Sequence, residues 1–199
     1  MDLPSYIWQK RVVIYLDDSA RTDLARFGIF PTHILDCANR IFQEYNQLPF
    51  GYYTGLVPIM QWHHSVSASP IPSIVRNRLL REAREKQPDI PGSACLFVSG
   101  LLSRGDGGTG DSDFKAGLGS GVMVVGTAPE PDVTYTDALR RAHLWQIALA
   151  CVHEQAHLFG IGHSEVPGTV MYFKGSGGRL FDEASRALFA EKIRLLMPR

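Results

Sequence analysis

The chain has 199 residues, 45% hydrophobic and 20% charged, a composition that suits one globular domain and excludes a disordered or low-complexity protein. Its 20 basic residues are matched by 20 acidic ones, so no global charge points to nucleic acid or to an anionic membrane surface. No apolar run approaches the roughly 18 residues of a membrane-spanning helix.

The stretch MDLPSYIWQKRVVIYLDDSA has no charged segment followed by an apolar one, so no signal peptide is visible. The expectation is a cytoplasmic protein as the chain stands, or the mature part of a secreted one. Cys37, Cys95 and Cys151 are too few and too scattered for a disulfide framework and are expected as buried thiols.

RVVIYL (11–16) is β-branched and aromatic and predicts a strand. PTHILDCANRIFQEYNQL (31–48) predicts a helix: Pro31 suits its first turn, and Ile34, Cys37, Ile41, Tyr45 and Leu48 share a face. VPIMQWHHSV (57–66) reads as a strand, in which the adjacent His63 and His64 point to opposite faces and do not chelate together. Residues 72–87 form a basic amphipathic helix with Ile74, Leu79, Leu80 and Ala83 inward, its arginines a solvated face. ACLFVSGLL (94–102) and VMVVGTA (122–128) are further strands.

Between them RGDGGTGDSDFKAGLGSG (104–121) reads as a polar loop. Its Asp106, Asp111 and Asp113 could hold calcium, although the spacing matches no calcium motif. From Thr136 a long helix runs to Gly160 with an apolar stripe of Leu139, Ala142, Trp145, Leu149 and Val152, and FDEASRALFAEKIRLL (181–196) is a terminal amphipathic helix. His33 and His143 belong to no motif. One α/β (α+β) domain follows, spanning 1–199.

The chemistry concentrates at CVHEQAHLFGIGHSEVPGTVMYF (151–173). His153 and His157 are four apart on a helix and project from one face, the separation at which two imidazoles can grip one zinc. Glu154, rotated by about 100°, can reach a water beside the ion without displacing a ligand. In a continued helix His163 would lie about 15 Å along the axis from His153. Gly160 breaks the helix and Gly162 adds freedom, so the chain can return His163 to the same ion. Three imidazoles leave a fourth tetrahedral position open, the mark of a catalytic zinc.

HEQAHLFGIGH resembles the HExxHxxGxxH signature of metzincin metalloproteases, and its continuation, HSEVPGTVMYF, is similar to the matrixin (matrix metalloproteinase) pattern. The resemblance implies a metzincin-like catalytic domain: a twisted mixed sheet, a long active-site helix and a C-terminal helix. It makes Met171 the Met-turn residue, beneath the zinc without ligating it, and gives Leu149 to an apolar S1′ pocket. GVMVVGTA (121–128) is then the edge strand that would pair with an extended peptide. A weaker likeness covers IWQKRVVIYL, VPIMQW and the terminal helix.

The departures are equally specific. No cysteine-switch propeptide is found, the segments that hold the matrixin structural zinc and calcium are not recognisable, and residues 67–94 look like an insertion. Phe173 stands where astacin-like and serralysin-like members place a tyrosine, and 175–178 fall in the loop expected behind S1′. The expected activity is a zinc-dependent endopeptidase with Glu154 as general base, acting on peptides or proteins as a monomer, without nucleic-acid or membrane partners. Two other readings stay open: an inactive zinc-bound peptide-binding module, and a zinc hydrolase with a very restricted or non-peptide substrate.

Overall fold

Val12, Ile14 and Leu16 alternate with Val13 and Tyr15, and this period of two carries their strand through the middle of a sheet covered on both faces. The computed structural model describes residues 7–86, 93–103, 110–114, 119–128, 136–172 and 178–196. In chain order the elements are β1 (Trp8–Lys10), β2 (Val12–Leu16), α1 (Asp18–Arg26), α2 (Pro31–Arg40) running into a π-helical turn (Ile41–Tyr45), β3 (Phe50–Tyr52), β4 (Ile59–Gln61), α3 (Pro72–Lys86), β5 (Ala94–Ser103), β6 (Gly110–Phe114), β7 (Gly121–Ala128), α4 (Asp137–Leu158) and α5 (Glu183–Arg194).

Five strands form a mixed sheet in the order β4-β2-β5-β7-β6. The first four are parallel, and β6 closes the edge antiparallel to β7. β1 and β3 make a separate two-stranded parallel ribbon. One face of the large sheet presents Ile14, Leu96, Val98, Met123 and Val125 to the main core, which includes residues of α1, α2, α4 and α5. The other presents Cys95, Phe97, Val122 and Val124 to Val75, Leu79, Leu80 and Ala83 of α3. α4 starts near the carboxyl end of β7, where His143 Nε2 donates to the Thr127 carbonyl at 3.1 Å, and finishes at its amino end, where Gly119 N–H reaches the Leu158 carbonyl at 3.0 Å. The site-bearing end of α4 therefore lies at the amino ends of the strands.

Several local expectations are corrected by packing. In α3 Val75 is buried and Ile74 is 40% exposed, because Val75, Leu79 and Ala83 form one ridge and Ile74 lies about 100° round from it. In α4 residues 136–142 are exposed, so Leu139 and Ala142 leave the apolar stripe and burial begins at His143. Only Ile59–Gln61 of the 57–66 segment pairs as a strand; beyond it Trp62 and Val66 turn onto the α3 side of the sheet. The helix from 31 changes to π geometry at Ile41 and ends at Tyr45, two residues before Gln47, whose φ is 54°. α1, β3 and β6 had no forecast. All three cysteines are free and buried.

Aromatic packing under the end of α4 fixes its height. Phe50 lies 5.3 Å from Phe159 and 4.7 Å from Phe42, and Phe159 meets Phe189 of α5 at 4.7 Å. Such pairs contribute about 0.5–1.5 kcal/mol each beyond their burial.

At the opposite end of the sheet Asp17 joins four segments. It caps α1 by accepting from Ala20 N–H at 2.6 Å and from Ser19 Oγ at 2.8 Å, receives Gly100 N–H of β5 at 3.3 Å, and its second oxygen accepts from His64 Nε2 at 3.0 Å. Burial would raise the carboxyl, but hydrogen bonds from Ser99, Ala20, His64 and Ser19 outweigh it and hold Asp17 below the ordinary carboxylate value. A carboxyl depressed in the folded state contributes stability above its unfolded pKa and loses it as pH falls through the folded one. Asp17→Asn should therefore be about 1–2 kcal/mol less stable at pH 7, with the gap to wild type closing below about pH 4. Urea midpoints of both proteins at several pH values measure this.

Candidate metal centre

The second half of α4 is buried on nearly every side, from Ile147 to Leu158, with Ala148, Ala150 and Ala156 allowing close packing. Glu154 is only 5% exposed within this stretch. A carboxylate so placed is costly unless it is paired or hydrogen-bonded.

The helix ends in a Schellman arrangement. Phe159 is the C-cap, Gly160 takes the left-handed φ of 77°, its N–H reaches the His157 carbonyl at 2.8 Å, and Ile161 N–H returns to the Ala156 carbonyl at 3.1 Å. A Cβ on Gly160 would meet nothing within 4 Å, so φ and not space demands glycine here. Gly162, expected to add freedom, has no positive φ. The turn brings the Ile161 carbonyl to His157 Nδ1 at 2.8 Å, and two residues later delivers His163.

His157 Nε2 lies 3.0 Å from His153 Nε2 and 3.2 Å from His163 Nε2. Three nitrogens around one zinc at about 2.0–2.1 Å would be about 3.3 Å apart in a tetrahedron. His153 Nδ1 faces the Val170 carbonyl at 2.7 Å. A carbonyl only accepts, so in His153 and His157 the Nδ1 atoms donate, and Nε2 is the atom that each can offer to a metal. Burial, partly offset by the bond to Val170, pushes His153 down to about 4, which keeps it a neutral ligand at neutral pH. Nε2 atoms at these distances can all reach one cation, so the donor set fits one zinc ion, with His153, His157 and His163 as the residues that could hold it.

Val170, whose carbonyl orients His153, directly precedes Met171, and Met171 is fully buried. The Met171 carbonyl accepts from Ser164 N–H at 2.7 Å, closing the loop that began at His163. Leu149 lies one turn before His153 and is 8% exposed within the core. Phe173 and 175–177 lie outside the described residues, as does Asp106. Asp111 and Asp113 fall on β6 opposite Val124 and Val122.

The expected peptide-pairing strand is corrected. β7, 121–128, is internal, hydrogen-bonded to β5 on one side and to β6 on the other. The sheet edge is β6, within the segment read as a loop, where glycine and aspartate mask a strand by composition. A second group was also missed. Gln155 is fully buried, accepts from Tyr52 O–H at 3.0 Å and donates to the Gly119 carbonyl at 3.0 Å. Its signal was an amide on a helix otherwise lined by alanine and aliphatic residues.

No family model and no curated protein sequence matches the chain. Solved structures do. Archaemetzincin from Methanopyrus kandleri is 14% identical, with a TM-score of 0.58 over 93% of this chain and 96% of that one. A zinc-dependent peptidase from Methanocorpusculum labreanum is 17% identical, with a TM-score of 0.52 over 89% and 99%. Metalloproteinase-II from Bacteroides fragilis is 12% identical, with a TM-score of 0.52 over 96% of this chain and 56% of that one. The chain shares their fold. The narrower matrixin likeness rests on the sequence motif alone.

Replacing His163 by alanine removes one of three candidate ligands and should weaken zinc by more than about 100-fold, since losing only a hydrogen bond to a ligand costs about 10–100-fold. Competition against a chromophoric chelator measures the affinity, and circular dichroism should show the fold retained.

Proposed function

We propose that this chain is a zinc-dependent endopeptidase of the metzincin type. The observation that carries the reading is the convergence of the Nε2 atoms of His153, His157 and His163 at the end of α4, with Glu154 next in sequence to the first of them and buried. The folds it resembles include proteins described as zinc-dependent peptidase and metalloproteinase.

Bound zinc supplies a water of lowered pKa, near 7, and a Lewis acid for the scissile carbonyl. The chain's own residues do the rest. Glu154 takes the proton of the attacking water as its oxygen bonds to the carbonyl carbon, then delivers that proton to the amine nitrogen as the C–N bond breaks. Burial of Glu154 shields the proton from bulk water. No covalent intermediate forms, and Cys151, pushed up to about 12 chiefly by burial, stays a thiol with no part in the reaction.

No other described strand pairs with the outer edge of β6. We assign the extended substrate to that edge, where main-chain hydrogen bonds hold it regardless of sequence. Leu149 would border the P1′ side chain and favour bulky aliphatic residues. Among the described residues no helix is long and apolar enough to cross a membrane.

Glu154→Gln should keep one zinc and lose about 10²–10⁴-fold in peptide hydrolysis. Mass spectrometry of a mixed peptide library, with wild type, variant and chelated samples in parallel, reads both the loss and the residues at the cut. Intact peptides with zinc-loaded wild type would overturn the endopeptidase reading and favour binding without hydrolysis.

A further inference from the structure

Gln155 lies between two of the three candidate ligands, yet its side chain turns away from them into a fully buried polar group. Its Oε1 accepts from Tyr52 of β3, whose phenol also meets Cys151 Sγ at 3.5 Å, and its Nε2 donates to the carbonyl of Gly119. Part of what this amide does is stabilise the fold, since without it the buried Tyr52 hydroxyl and Gly119 carbonyl would each lose a partner. Hydrogen bonds do what apolar contacts do not: they fix one direction and one distance.

Gly119 is where that matters. It is held to α4 at two successive turns, by Gln155 Nε2 on its carbonyl and by the Leu158 carbonyl on its N–H at 3.0 Å. Its φ is 67°, and a Cβ there would lie 2.5 Å from the Phe159 ring, so the turn sits directly on the helix end. The next residue, Ser120, accepts from the buried Lys10 Nζ of β1 at 2.6 Å. Then comes Gly121, the first residue of β7, paired with Phe114 of the sheet edge β6. The ribbon β1–β3 and the active-site helix thus grip one turn from two sides, and the edge strand follows from it in fixed register. Small residues line this part of α4, so without the grip the helix could slide against the turn.

We propose that Gln155, itself held by Tyr52, is a positioning residue that sets the peptide-binding edge β6 at a fixed height relative to the three-histidine centre. The proposal rests on the peptidase reading above. It gives the two-stranded ribbon a role in substrate alignment and separates that role from metal binding. Substrate groups that touch only the metal ignore the grip, and groups that pair with the edge depend on it.

The test compares two zinc-directed probes on the zinc-loaded full chain. Acetohydroxamate engages the metal alone; a peptidyl hydroxamate carrying an extended tripeptide also engages the edge. Gln155→Met keeps the side-chain length and removes both hydrogen bonds. It should leave zinc content and acetohydroxamate affinity unchanged and weaken the peptidyl hydroxamate about tenfold, the effect of misaligning one or two main-chain hydrogen bonds. KM for a long peptide should rise with kcat little changed. Tyr52→Phe, which leaves the bond to Gly119 but frees the amide, should shift the same readouts about threefold.

Unchanged peptidyl hydroxamate affinity in Gln155→Met, or an equal weakening of both probes, would overturn the proposal and leave the peptidase reading standing. Wild type binding both probes equally well would overturn the proposal and the assignment of substrate to β6, while the peptidase reading is decided separately by hydrolysis of the peptide library. Should Gln155→Met fail to fold, Tyr52→Phe decides in its place by the same comparison.

Discussion

Three histidine rings whose Nε2 atoms converge on one point are a grouping that a chain must hold in place, and much of the fold bears on it. One turn does most of this. The left-handed Gly160 ends α4, turns the Ile161 carbonyl onto His157 Nδ1, and lets the chain reverse toward His163. The same closure is met from the other side by the Val170 carbonyl on His153 and by the bond between Ser164 and Met171. Each contact holds a ring or a backbone in place before any ion arrives, so little reorganisation is needed when one binds.

Such a loop needs a rigid base, and the base is aromatic. Phe159, at the C-cap, is wedged among Trp8, Phe50 and Phe189, residues from β1, β3 and α5. The short ribbon β1–β3 would be marginal by itself. Here it is stabilised by burying Phe50 and Tyr52, and in return it fixes the helix end. α5, remote in sequence, closes the cluster with Phe189. The sheet is equally dependent on its covers: alternate residues of β2, β5 and β7 feed two cores, so removing either helical layer would expose a continuous apolar face.

The ends of the sheet divide the labour. At the carboxyl ends Asp17 ties α1, β5 and His64 together in a polar knot. At the amino ends the buried polar side chains of Gln155 and Lys10 converge on the turn that leads to β7, beside the end of α4 that carries the three histidines. The usual preference of open parallel sheets for ligands at the carboxyl ends is reversed, because α4 runs back along the sheet and delivers its last turn to the other side.

The sequence by itself determined the local chemistry. Residues four apart on a helix share a face, a glycine after the last turn ends it, and a histidine three positions on can return, so the three-histidine centre was legible from spacing. The long helix, the central strands and the buried thiols were legible for the same reason, since period and burial are short-range signals. Tertiary structure alone decided what depends on distant partners. β6 is a strand only because β7 offers it an edge, against the preference of its glycine and aspartates. Ile74 yields to Val75 because the sheet sets the phase of α3. Gln155 gains its meaning from Tyr52 and Gly119, 103 and 36 residues away in the chain, and no pattern within a window of a few turns records a contact of that range.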